Sequence, residues 1–449
     1  MTGPQAFDVH VPVVVIGAGA AGLVAALAAR AAGADVVVLE RDPLPRGSTA
    51  LSAGLIPAAG TRWQRDAGIA DDPARFAADI MAKAHGEPDP AVVDALTQEA
   101  APVLEWLADA HGLAFSVITD FLYPGHAVPR MHGLASRSGV ALMDALTQAV
   151  ERAGAEILCN ARATALICGD ADWVAGVAYV RPDGSEERIG AGALVLASSG
   201  YGGAPDLIAR YVPAMAGAPY FGHPGNTGDA VRWGQALGAA VRDLSGHQGH
   251  GSLAHPAAIL ITWATITAGG VQVNTLGQRF ADEMRGYSEQ AADVLRQPGG
   301  VAWTIFDARI AAIARQFEDF RQAEAAGCIV TAPDLPALAA IIGVPADALM
   351  MSVASCRGSE PLCKPYCAVR VTGALFHTQG GLAVRPDGAV MRAAGGAFPN
   401  LFAAGGAACG VSGRQASGYL SGNGLLSAVV LGSIAGRAAA YFDSNATMR

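Results

Sequence analysis

The sequence predicts an α/β protein with a doubly wound, Rossmann-like dinucleotide-binding domain and an inserted α+β cap domain. Three observations predict it. A strand-helix-strand pattern stands near the N-terminus, Gly-rich strand ends follow near residue 200 and at the C-terminus, and the composition of the segment between these two strand ends, about 255–365, differs from that of the rest. A chain of 449 residues is long enough for both domains. The predicted boundaries are 1–254 for the first part of the dinucleotide-binding domain, 255–365 for the cap and 366–449 for the second part.

The N-terminal pattern is "VVVIGAGAAGLVAALAARAAGADVVVLE", in which a β-branched strand precedes three glycines in G-x-G-x-x-G spacing. Gly17 allows a tight turn, Gly19 lets the backbone approach a pyrophosphate, and Gly22 lets the helix pack close to the strand. Glu40 ends the second strand, where its carboxylate can accept hydrogen bonds from a ribose diol. The pattern therefore predicts a dinucleotide site.

The segment after the second strand, "GSTALSAGLIPAAGT", favours a flavin over a nicotinamide cofactor. Its small and hydroxyl residues, Ser48, Thr49, Ser52 and Gly54, suit a backbone that lies close to a flat ring system. A nicotinamide-binding fold would instead continue directly into another strand and helix. A second Gly-rich strand end, "GALVLASSGYGG", gives the backbone another place to approach the cofactor.

Composition excludes several classes of protein. The net charge of −9 argues against a nucleic-acid binder. No stretch reaches the roughly 20 uninterrupted apolar residues of a membrane span, and the N-terminus lacks the basic region of a signal peptide. We therefore expect a soluble, cytoplasmic protein. Cys356, Cys363 and Cys367 lie close in sequence but lack Cys-x-x-Cys spacing, so we expect no metal site.

Several motifs in order along the chain, "GHPGNTGDA", "GQRFADE", "HTQGGL", "LFAAGG" and "GYLSGNGLL", resemble the fumarate reductase flavoprotein family, which includes 3-ketosteroid Δ1-dehydrogenases. In that family FAD lies extended in the doubly wound domain and a cap domain completes the active site. The resemblance covers nearly the whole chain and implies FAD as the cofactor. The predicted cofactor-binding residues are Gly17, Gly19, Ala20, Ala21, Gly22, Glu40, Arg41, Ser48, Thr49, Ser52, Gly54, Ser199, Gly200, Asp229, Gly405, Gly406, Asn423 and Leu425.

Two tyrosines separate this chain from the fumarate-type members of the family. Those members carry arginines at the positions of Tyr287 and Tyr419, whereas the ketosteroid branch carries a tyrosine base at the first and a tyrosine on the ketone oxygen at the second. "RFADEMRGY" matches the first in spacing, and "SGYLSGNG" matches the second more loosely because that branch has prolines there. Arginine suits a carboxylate, whereas a ketone oxygen needs a hydrogen-bond donor. A packing role is the alternative for both phenols.

Other candidate site residues also follow from the resemblance. His377 and His250 match histidines that face the substrate in that family, and a structural role is the alternative for both. Tyr123 is a candidate second phenol of the site, and an ordinary loop aromatic is the alternative. Trp263 replaces an acid of the fumarate-type members. Three arginines are unranked candidates for binding a substrate carboxylate. The predicted substrate-binding residues are Arg414, Arg130, Arg285, Trp263 and Gly422.

The resemblance implies an FAD-dependent desaturase that introduces a C=C bond α,β to the carbonyl of a small cyclic ketone. The example within the family is 4-oxocyclohexanecarboxylate, and the modest cap disfavours a steroid. The alternatives are a fumarate-reductase-like reductase of an unsaturated acid, a 3-ketosteroid dehydrogenase, and a protein in which the flavin is structural or only carries electrons. Since no Cys-x-x-Cys-His haem motif is present, we expect oxygen or a diffusible carrier as electron acceptor.

Overall fold

The computed structural model describes residues 7–169, 173–355 and 360–446 and forms two compact units. Unit 1 comprises Met1–Leu207, Gly222–Gly246 and His377–Arg449, and unit 2 comprises Ile208–Phe221 and His247–Phe376. Both predicted domain boundaries, at 254/255 and 365/366, lie inside unit 2. Cys356 lies outside the described residues.

The elements of secondary structure are numbered in chain order. The strands are β1 (Val9–Ile16), β2 (Val36–Leu39), β3 (Ile56–Pro57), β4 (Ser116–Val117), β5 (Met131–Gly133), β6 (Glu156–Leu158), β7 (Arg162–Cys168), β8 (Val174–Val180), β9 (Glu186–Leu196), β10 (Val241–Arg242), β11 (His247–Ala254), β12 (Ile259–Leu260), β13 (Val271–Val273), β14 (Val301–Asp307), β15 (Ile329–Ala332), β16 (Tyr366–Thr378), β17 (Gly381–Leu382), β18 (Ala389–Met391) and β19 (Ala397–Ala403). The helices are α1 (Ala20–Ala31), α2 (Arg62–Asp66), α3 (Pro73–Lys83), α4 (Pro90–His111), α5 (Gly139–Arg152), α6 (Pro205–Tyr211), α7 (Asp229–Ala236), α8 (Ala264–Thr267), α9 (Tyr287–Leu295), α10 (Ala308–Ala314), α11 (Glu318–Ala325), α12 (Leu335–Ile342), α13 (Ala346–Ala354) and α14 (Asn423–Ala446).

Unit 1 is built on a sheet with the strand order β18-β19-β9-β1-β2-β6, to which β8 and β7 are added at β9. The strands from β19 to β6 are parallel, whereas β18, β8 and β7 are antiparallel to their neighbours. Val13, Val14 and Val15 are fully buried, as expected for a central parallel strand that is covered on both faces. This order is the doubly wound arrangement that the N-terminal pattern predicts.

Helices α1 and α14 pack unusually close in unit 1 because small residues line their contact. A Cβ atom on Gly432 would lie 2.5 Å from the Ala21 carbonyl oxygen, and one on Gly436 would lie 2.1 Å from that of Ala25. The segment Asn423–Phe442 is long and apolar enough to cross a membrane by length and composition, but 61% of its most apolar window is buried inside the protein. The core helix of a soluble protein can have the same length and composition.

Unit 2 contains a second sheet with the order β12-β11-β16-β14-β13, and β15 pairs with β16. All eight residues of β11 are buried although the sequence, "HQGHGSLA", is polar and Gly-rich. Glycines on β11 and β16 leave room for α9: a Cβ on Gly249 would lie 2.5 Å from that of Ala291, and one on Gly373 would lie 2.1 Å from the Ala291 carbonyl oxygen. Helix α9, which begins at Tyr287, is therefore held directly against the sheet backbone.

A buried ion pair in unit 1 takes up the side chain of Arg130, one of the arginines predicted to bind substrate. Its guanidinium donates two hydrogen bonds of 2.9 Å to Asp71 and one of 2.5 Å to Asp79. It also lies 3.3 Å from Nδ1 of His126, whose Nε2–H donates to the Ser421 carbonyl oxygen at 2.9 Å. Burial lowers the pKa of His126 to about 4, so the ring is neutral near pH 7. The network connects α3 to the loop that precedes α14.

We expect Arg130→Met to lower the free energy of unfolding by about 3–5 kcal/mol, because it leaves the fully buried Asp71 carboxylate without its partner. Scanning calorimetry of the FAD-loaded protein measures the change. The control is Arg437→Met: Arg437 pairs with Glu99 at exposures of 41% and 38%, so its loss should cost less than about 1 kcal/mol. Equal shifts in melting temperature for the two variants would contradict the assignment.

Candidate cofactor and active site

A cleft lies in unit 1 at the carboxyl ends of the parallel strands. The turn between β1 and α1, the end of β2, the segment after it, the end of β9 and the segment after β19 all contribute to its walls. Eleven of the predicted cofactor-binding residues line it: Gly17, Gly19, Ala20, Ala21, Glu40, Arg41, Ser48, Thr49, Ser199, Gly405 and Gly406.

The first turn of the cleft fits the diphosphate of a dinucleotide. Gly17 has φ +102°, a conformation that favours glycine. A Cβ on Gly19 would meet only Thr49 Oγ1, at 3.9 Å, so this face of the backbone is open to the cleft at the N-terminus of α1. Ser198 also lines the cleft, and its buried hydroxyl has no hydrogen-bond partner among the described residues. The residues present therefore fit a bound FAD.

Glu40 is the acidic residue that the sequence places at the ribose. It is 6% exposed, and its two carboxylate oxygens accept hydrogen bonds from the backbone N–H groups of Ala18 at 2.8 Å and Asp42 at 3.0 Å. Burial raises its pKa, while these two hydrogen bonds act in the opposite direction. Each oxygen retains acceptor capacity for a ribose hydroxyl.

One wall of the cleft, the loop 222–226, was not among the predicted site residues. His223 Nε2 lies 2.8 Å from Asp42 Oδ2, and the Gly225 N–H donates to His223 Nδ1 at 3.0 Å. Arg41 donates to the Gly225 carbonyl oxygen across 184 residues of sequence. No spacing rule relates residues so far apart, so only the resemblance to "GHPGN" could have pointed to this loop. The additional lining residues include Asp42, Gly47, Ser198, His223, Asn226 and Trp233.

The remaining predicted cofactor residues do not line this cleft and have packing or hydrogen-bonding roles beside it. A Cβ on Gly22 would lie 1.8 Å from the Gly17 carbonyl oxygen, and one on Gly200 would lie 2.1 Å from Thr378 Oγ1. Asp229 begins α7 and accepts a hydrogen bond from Thr227. The predicted cofactor residues outside the cleft lining are Gly22, Ser52, Gly54, Gly200, Asp229, Asn423 and Leu425.

Tyr419 and His377 form a pair beside the start of α14 in unit 1. Their ring centroids are 5.3 Å apart at an interplanar angle of 77°. A Cβ on Gly424 would lie 2.9 Å from His377 Nε2 and 3.6 Å from the Tyr419 hydroxyl, so both polar atoms approach the same point. Tyr123 is close enough that Tyr419 contributes, after burial, to raising the pKa of its phenol. The structure thus brings three of the predicted residues together.

Tyr287 is the first residue of α9 and belongs to an aromatic cluster within unit 2. It is 9% exposed and stacks on His250, with ring centroids 4.8 Å apart and an interplanar angle of 22°. His250 stacks in turn on Phe376 at 5.1 Å, and Trp263 lies edge-on to His250 at 5.7 Å and near Tyr287 at 6.1 Å. The cluster therefore joins three predicted site residues to Phe376, which the sequence analysis missed.

The histidine of this cluster is neutral and its tautomer is determined. Burial lowers the pKa of His250 to about 3. Its Nδ1 lies 3.2 Å from the Ser252 backbone N–H, which can only donate, so the ring proton is on Nε2. Within the described part of the chain the buried Trp263 Nε1 has no hydrogen-bond partner. The cluster thus holds two uncharged N–H donors.

The "GQRFADE" motif anchors the segment that leads into α9. Arg279 pairs with the buried Glu283 at 2.5 Å, and Glu283 also accepts from the Gln272 backbone N–H at 2.9 Å. These bonds fix the approach to Tyr287.

The two remaining candidate arginines lie beside carboxylates. Arg285 pairs with Asp293, and its side chain is 52% exposed. Arg414 is 65% exposed; its backbone N–H donates to Glu87 at 2.6 Å and its guanidinium lies 3.8 Å from the same carboxylate. Their predicted role in binding a substrate carboxylate stays a prediction.

The sequence matches the FAD binding domain family over residues 12–425. The chain belongs to this family. It is 30% identical over 448 residues to a probable fumarate reductase of Shewanella frigidimarina, covering 95% of this chain and 74% of that protein. It is 26% identical to a urocanate reductase of Eggerthella lenta over 436 residues, covering 90% of this chain and 70% of that protein.

Two solved structures share the fold of this chain. The open conformation of a flavocytochrome c3 fumarate reductase superposes with a TM-score of 0.83 at 30% identity, covering 97% of this chain and 79% of that one. A 3-ketosteroid-Δ4-(5α)-dehydrogenase from Rhodococcus jostii RHA1, solved with 4-androstene-3,17-dione, has a TM-score of 0.76 at 24% identity and 98% coverage of both chains, which is a likeness of fold. The predicted family, fold class, FAD cofactor and oxidoreductase class are confirmed. The individual site residues stay predictions.

We expect Gly19→Val to abolish retention of FAD, because the added methyl groups would enter the open face of the cleft that the diphosphate of FAD would occupy. The flavin-to-protein absorbance ratio after purification measures it. Gly19→Ala is the milder companion variant, and the melting temperature of both apoproteins should match that of the parent apoprotein. A folded Val variant with one FAD per chain would remove Gly19 from the diphosphate site.

Proposed function

We propose that this flavoprotein is a desaturase that introduces a C=C bond α,β to the carbonyl of a small cyclic ketone such as 4-oxocyclohexanecarboxylate. One observation carries the proposal: each unit holds a nearly buried phenol against an imidazole. Tyr419 lies edge-on to His377 in unit 1, and Tyr287 stacks on His250 in unit 2. Phenols suit a neutral ketone, because they donate a hydrogen bond or exchange a proton without carrying a fixed charge.

In this proposal Tyr419 donates a hydrogen bond to the ketone oxygen. That oxygen gains negative charge as the α carbon loses its proton, so a donor held in place is worth more in the transition state than in the ground state. His377 approaches the same point beside Gly424 and supplies a second polar contact. The burial of Tyr419, at 7% exposure, limits competition from water.

Tyr287 takes the α proton in this proposal. A phenol of pKa about 10 is a weak base, but the α C–H becomes more acidic once the carbonyl is polarised. FAD, when bound, would supply the two-electron oxidant, and the substrate would lose a proton from the α carbon to Tyr287 and a hydride from the β carbon. His250 remains neutral beside Tyr287 because burial lowers its pKa to about 3.

The uncharged neighbours found for Tyr287 favour a ketone over a dicarboxylate. In the unit 2 cluster Tyr287 is in ring contact with His250 and Trp263, which are both uncharged. The guanidinium of Arg130 forms ion pairs with Asp71 and Asp79. A substrate screen should therefore include uncharged cyclohexanones as well as 4-oxocyclohexanecarboxylate, with oxygen uptake recorded to test oxygen against a diffusible carrier as electron acceptor.

The second candidate is a reductase of an unsaturated acid, which the 30% identity to a probable fumarate reductase favours. Anaerobic mixing separates the two. Bleaching of the flavin absorbance by a saturated cyclic ketone supports the desaturase, whereas reoxidation of the reduced protein by fumarate or another enoate supports the reductase. A 3-oxosteroid belongs in the same panel to test the steroid alternative. If no ketone or enoate changes the flavin spectrum, the structural-flavin alternative takes their place.

Tyr419→Phe should lower kcat by about 10²–10³-fold, the usual effect of removing one oxyanion donor. The ring and its packing remain, so FAD content and melting temperature should not change. Steady-state kinetics with the best ketone measure the effect. Near-normal kcat with a raised KM would show that the hydroxyl only binds the substrate.

Tyr287→Phe should slow flavin reduction by a saturated ketone by about 10²-fold or more, the scale of general-base loss. The measurement is anaerobic rapid mixing with ordinary and α-deuterated ketone. Tyr179→Phe is the matched control, because it removes the hydroxyl of another buried tyrosine, one that donates to Glu187 in unit 1. If Tyr287 only packs, Phe should be tolerated at under about 1.5 kcal/mol with unchanged reduction.

A further inference from the structure

The hydrogen bonds behind His377 all run in one direction. Asn423 Nδ2 lies 3.4 Å from the Val411 carbonyl oxygen, which can only accept, so the amide nitrogen faces that carbonyl, while the buried Asn423 Oδ1 has no hydrogen-bond partner among the described residues. The same nitrogen donates to Ser412 Oγ at 3.1 Å. The Ser412 proton is therefore directed to its other partner, Gln379 Oε1, at 2.8 Å.

The orientation of the Gln379 amide decides the tautomer of His377. Since Oε1 accepts from Ser412, the amide nitrogen is at the opposite side, 2.6 Å from His377 Nδ1. An amide nitrogen only donates, so Nδ1 accepts and the proton of the neutral ring is on Nε2. Gln379, Ser412 and Asn423 are at most 5% exposed, which keeps water from replacing these bonds.

His377 Nε2 and the Tyr419 hydroxyl both lie beside Gly424. The point where a Gly424 Cβ would lie is 2.9 Å from His377 Nε2 and 3.6 Å from the Tyr419 oxygen. A side chain at position 424 would collide with the His377 ring, so the site needs glycine here. The two distances place His377 Nε2 and the Tyr419 oxygen at most about 6.5 Å apart, so one ligand oxygen between them, in van der Waals contact with Gly424, could accept from both.

We propose that Gln379 is a positioning residue that holds His377 as its Nε2–H tautomer, so that His377 and Tyr419 donate together to one oxygen beside Gly424. The identity of that oxygen as a ketone oxygen rests on the proposed function, whereas the tautomer does not. Two convergent neutral donors suit an oxygen that acquires negative charge during the reaction. The amide of Gln379 does not titrate, so this arrangement does not depend on an ionised partner.

The first test observes the tautomer in the FAD-loaded protein labelled with ¹⁵N-histidine. Long-range ¹H–¹⁵N correlation identifies the protonated nitrogen, and His377→Gln assigns the signals by their loss. We expect protonated Nε2 in the parent protein. Gln379→Glu should move the proton to Nδ1 or protonate both nitrogens, because a carboxylate at this position only accepts. Protonated Nδ1 in the parent protein would overturn the proposal.

Milder variants guard against loss of folding in Gln379→Glu. Ser412→Ala removes the donor that orients Gln379 and should broaden or shift the His377 signals. Ser433→Ala is its matched control, since Ser433 is a fully buried serine of α14 whose hydroxyl has no partner among the described residues. Identical spectra for Ser412→Ala, Ser433→Ala and the parent protein would count against the relay.

The second test measures binding of an oxyanion probe, pentafluorophenolate, from the change in flavin absorbance. If Gln379→Glu moves the proton to Nδ1, binding should weaken by at least about 10-fold, because one hydrogen-bond donor to the oxyanion is lost. If the variant protonates both nitrogens, Nε2–H is kept and the added positive charge should strengthen binding instead. In a His377→Gln background the same change should have little further effect, because the two residues act as one unit. An unchanged affinity in Gln379→Glu despite an altered tautomer would overturn the proposal. If both tests succeed while no ketone reduces the flavin, the proposed function fails and this inference stands.

Discussion

The close approach of α1 to β1 and to α14 is the constraint on which the rest of unit 1 depends. There is no space for even a methyl group on Gly22, because the Gly17 carbonyl oxygen lies too close. The same holds for Gly432 and Gly436, which lie against the backbone of α1. Helix α1 is consequently buried on ten of its twelve residues. A helix packed this tightly directs its N-terminal N–H groups at one fixed place, the end of β1, where they would favour an anionic diphosphate.

Helix α14 links the cofactor cleft to the pair of His377 and Tyr419. Its contact with α1 fixes its position, and its first residue, Asn423, begins the hydrogen bonds that end at His377. The loop before it is held from the other side, because His126 donates to Ser421 and is backed by Arg130. A shift of α14 would therefore disturb Tyr419 and His377 together with the cleft.

Local patterns were sufficient to predict the part of the fold that depends on neighbouring residues. The turn at Gly17 and Gly19, the strand end at Glu40 and the burial of β1 follow from glycine spacing and β-branched residues, and all lie where the sequence indicated. Contacts between distant segments could not be predicted. From the sequence alone Arg130 is a candidate to bind a substrate carboxylate, and only the structure shows that its guanidinium pairs with Asp71 and Asp79. In the same way, the motif "HTQGGL" does not indicate that Gln379 accepts a hydrogen bond from Ser412. Segment 208–221 belongs to unit 2 for the same reason: its partners, such as Leu375, are far along the chain.

The histidines of this chain show how a site can donate hydrogen bonds without holding charge. His250 accepts at Nδ1 from the Ser252 backbone, and His377 accepts at Nδ1 from Gln379, so each carries its proton on Nε2. A protonated imidazole in such surroundings would require the removal of a charge from water, which the low pKa of His250 reflects. Donors of this kind discriminate little against a neutral carbonyl in the ground state. They gain strength only as the oxygen becomes anionic, which is the change that loss of an α proton produces. A fixed guanidinium would instead bind a carboxylate substrate equally well before and during the reaction. The replacement of charge by directed neutral donors therefore favours substrates whose charge develops during catalysis.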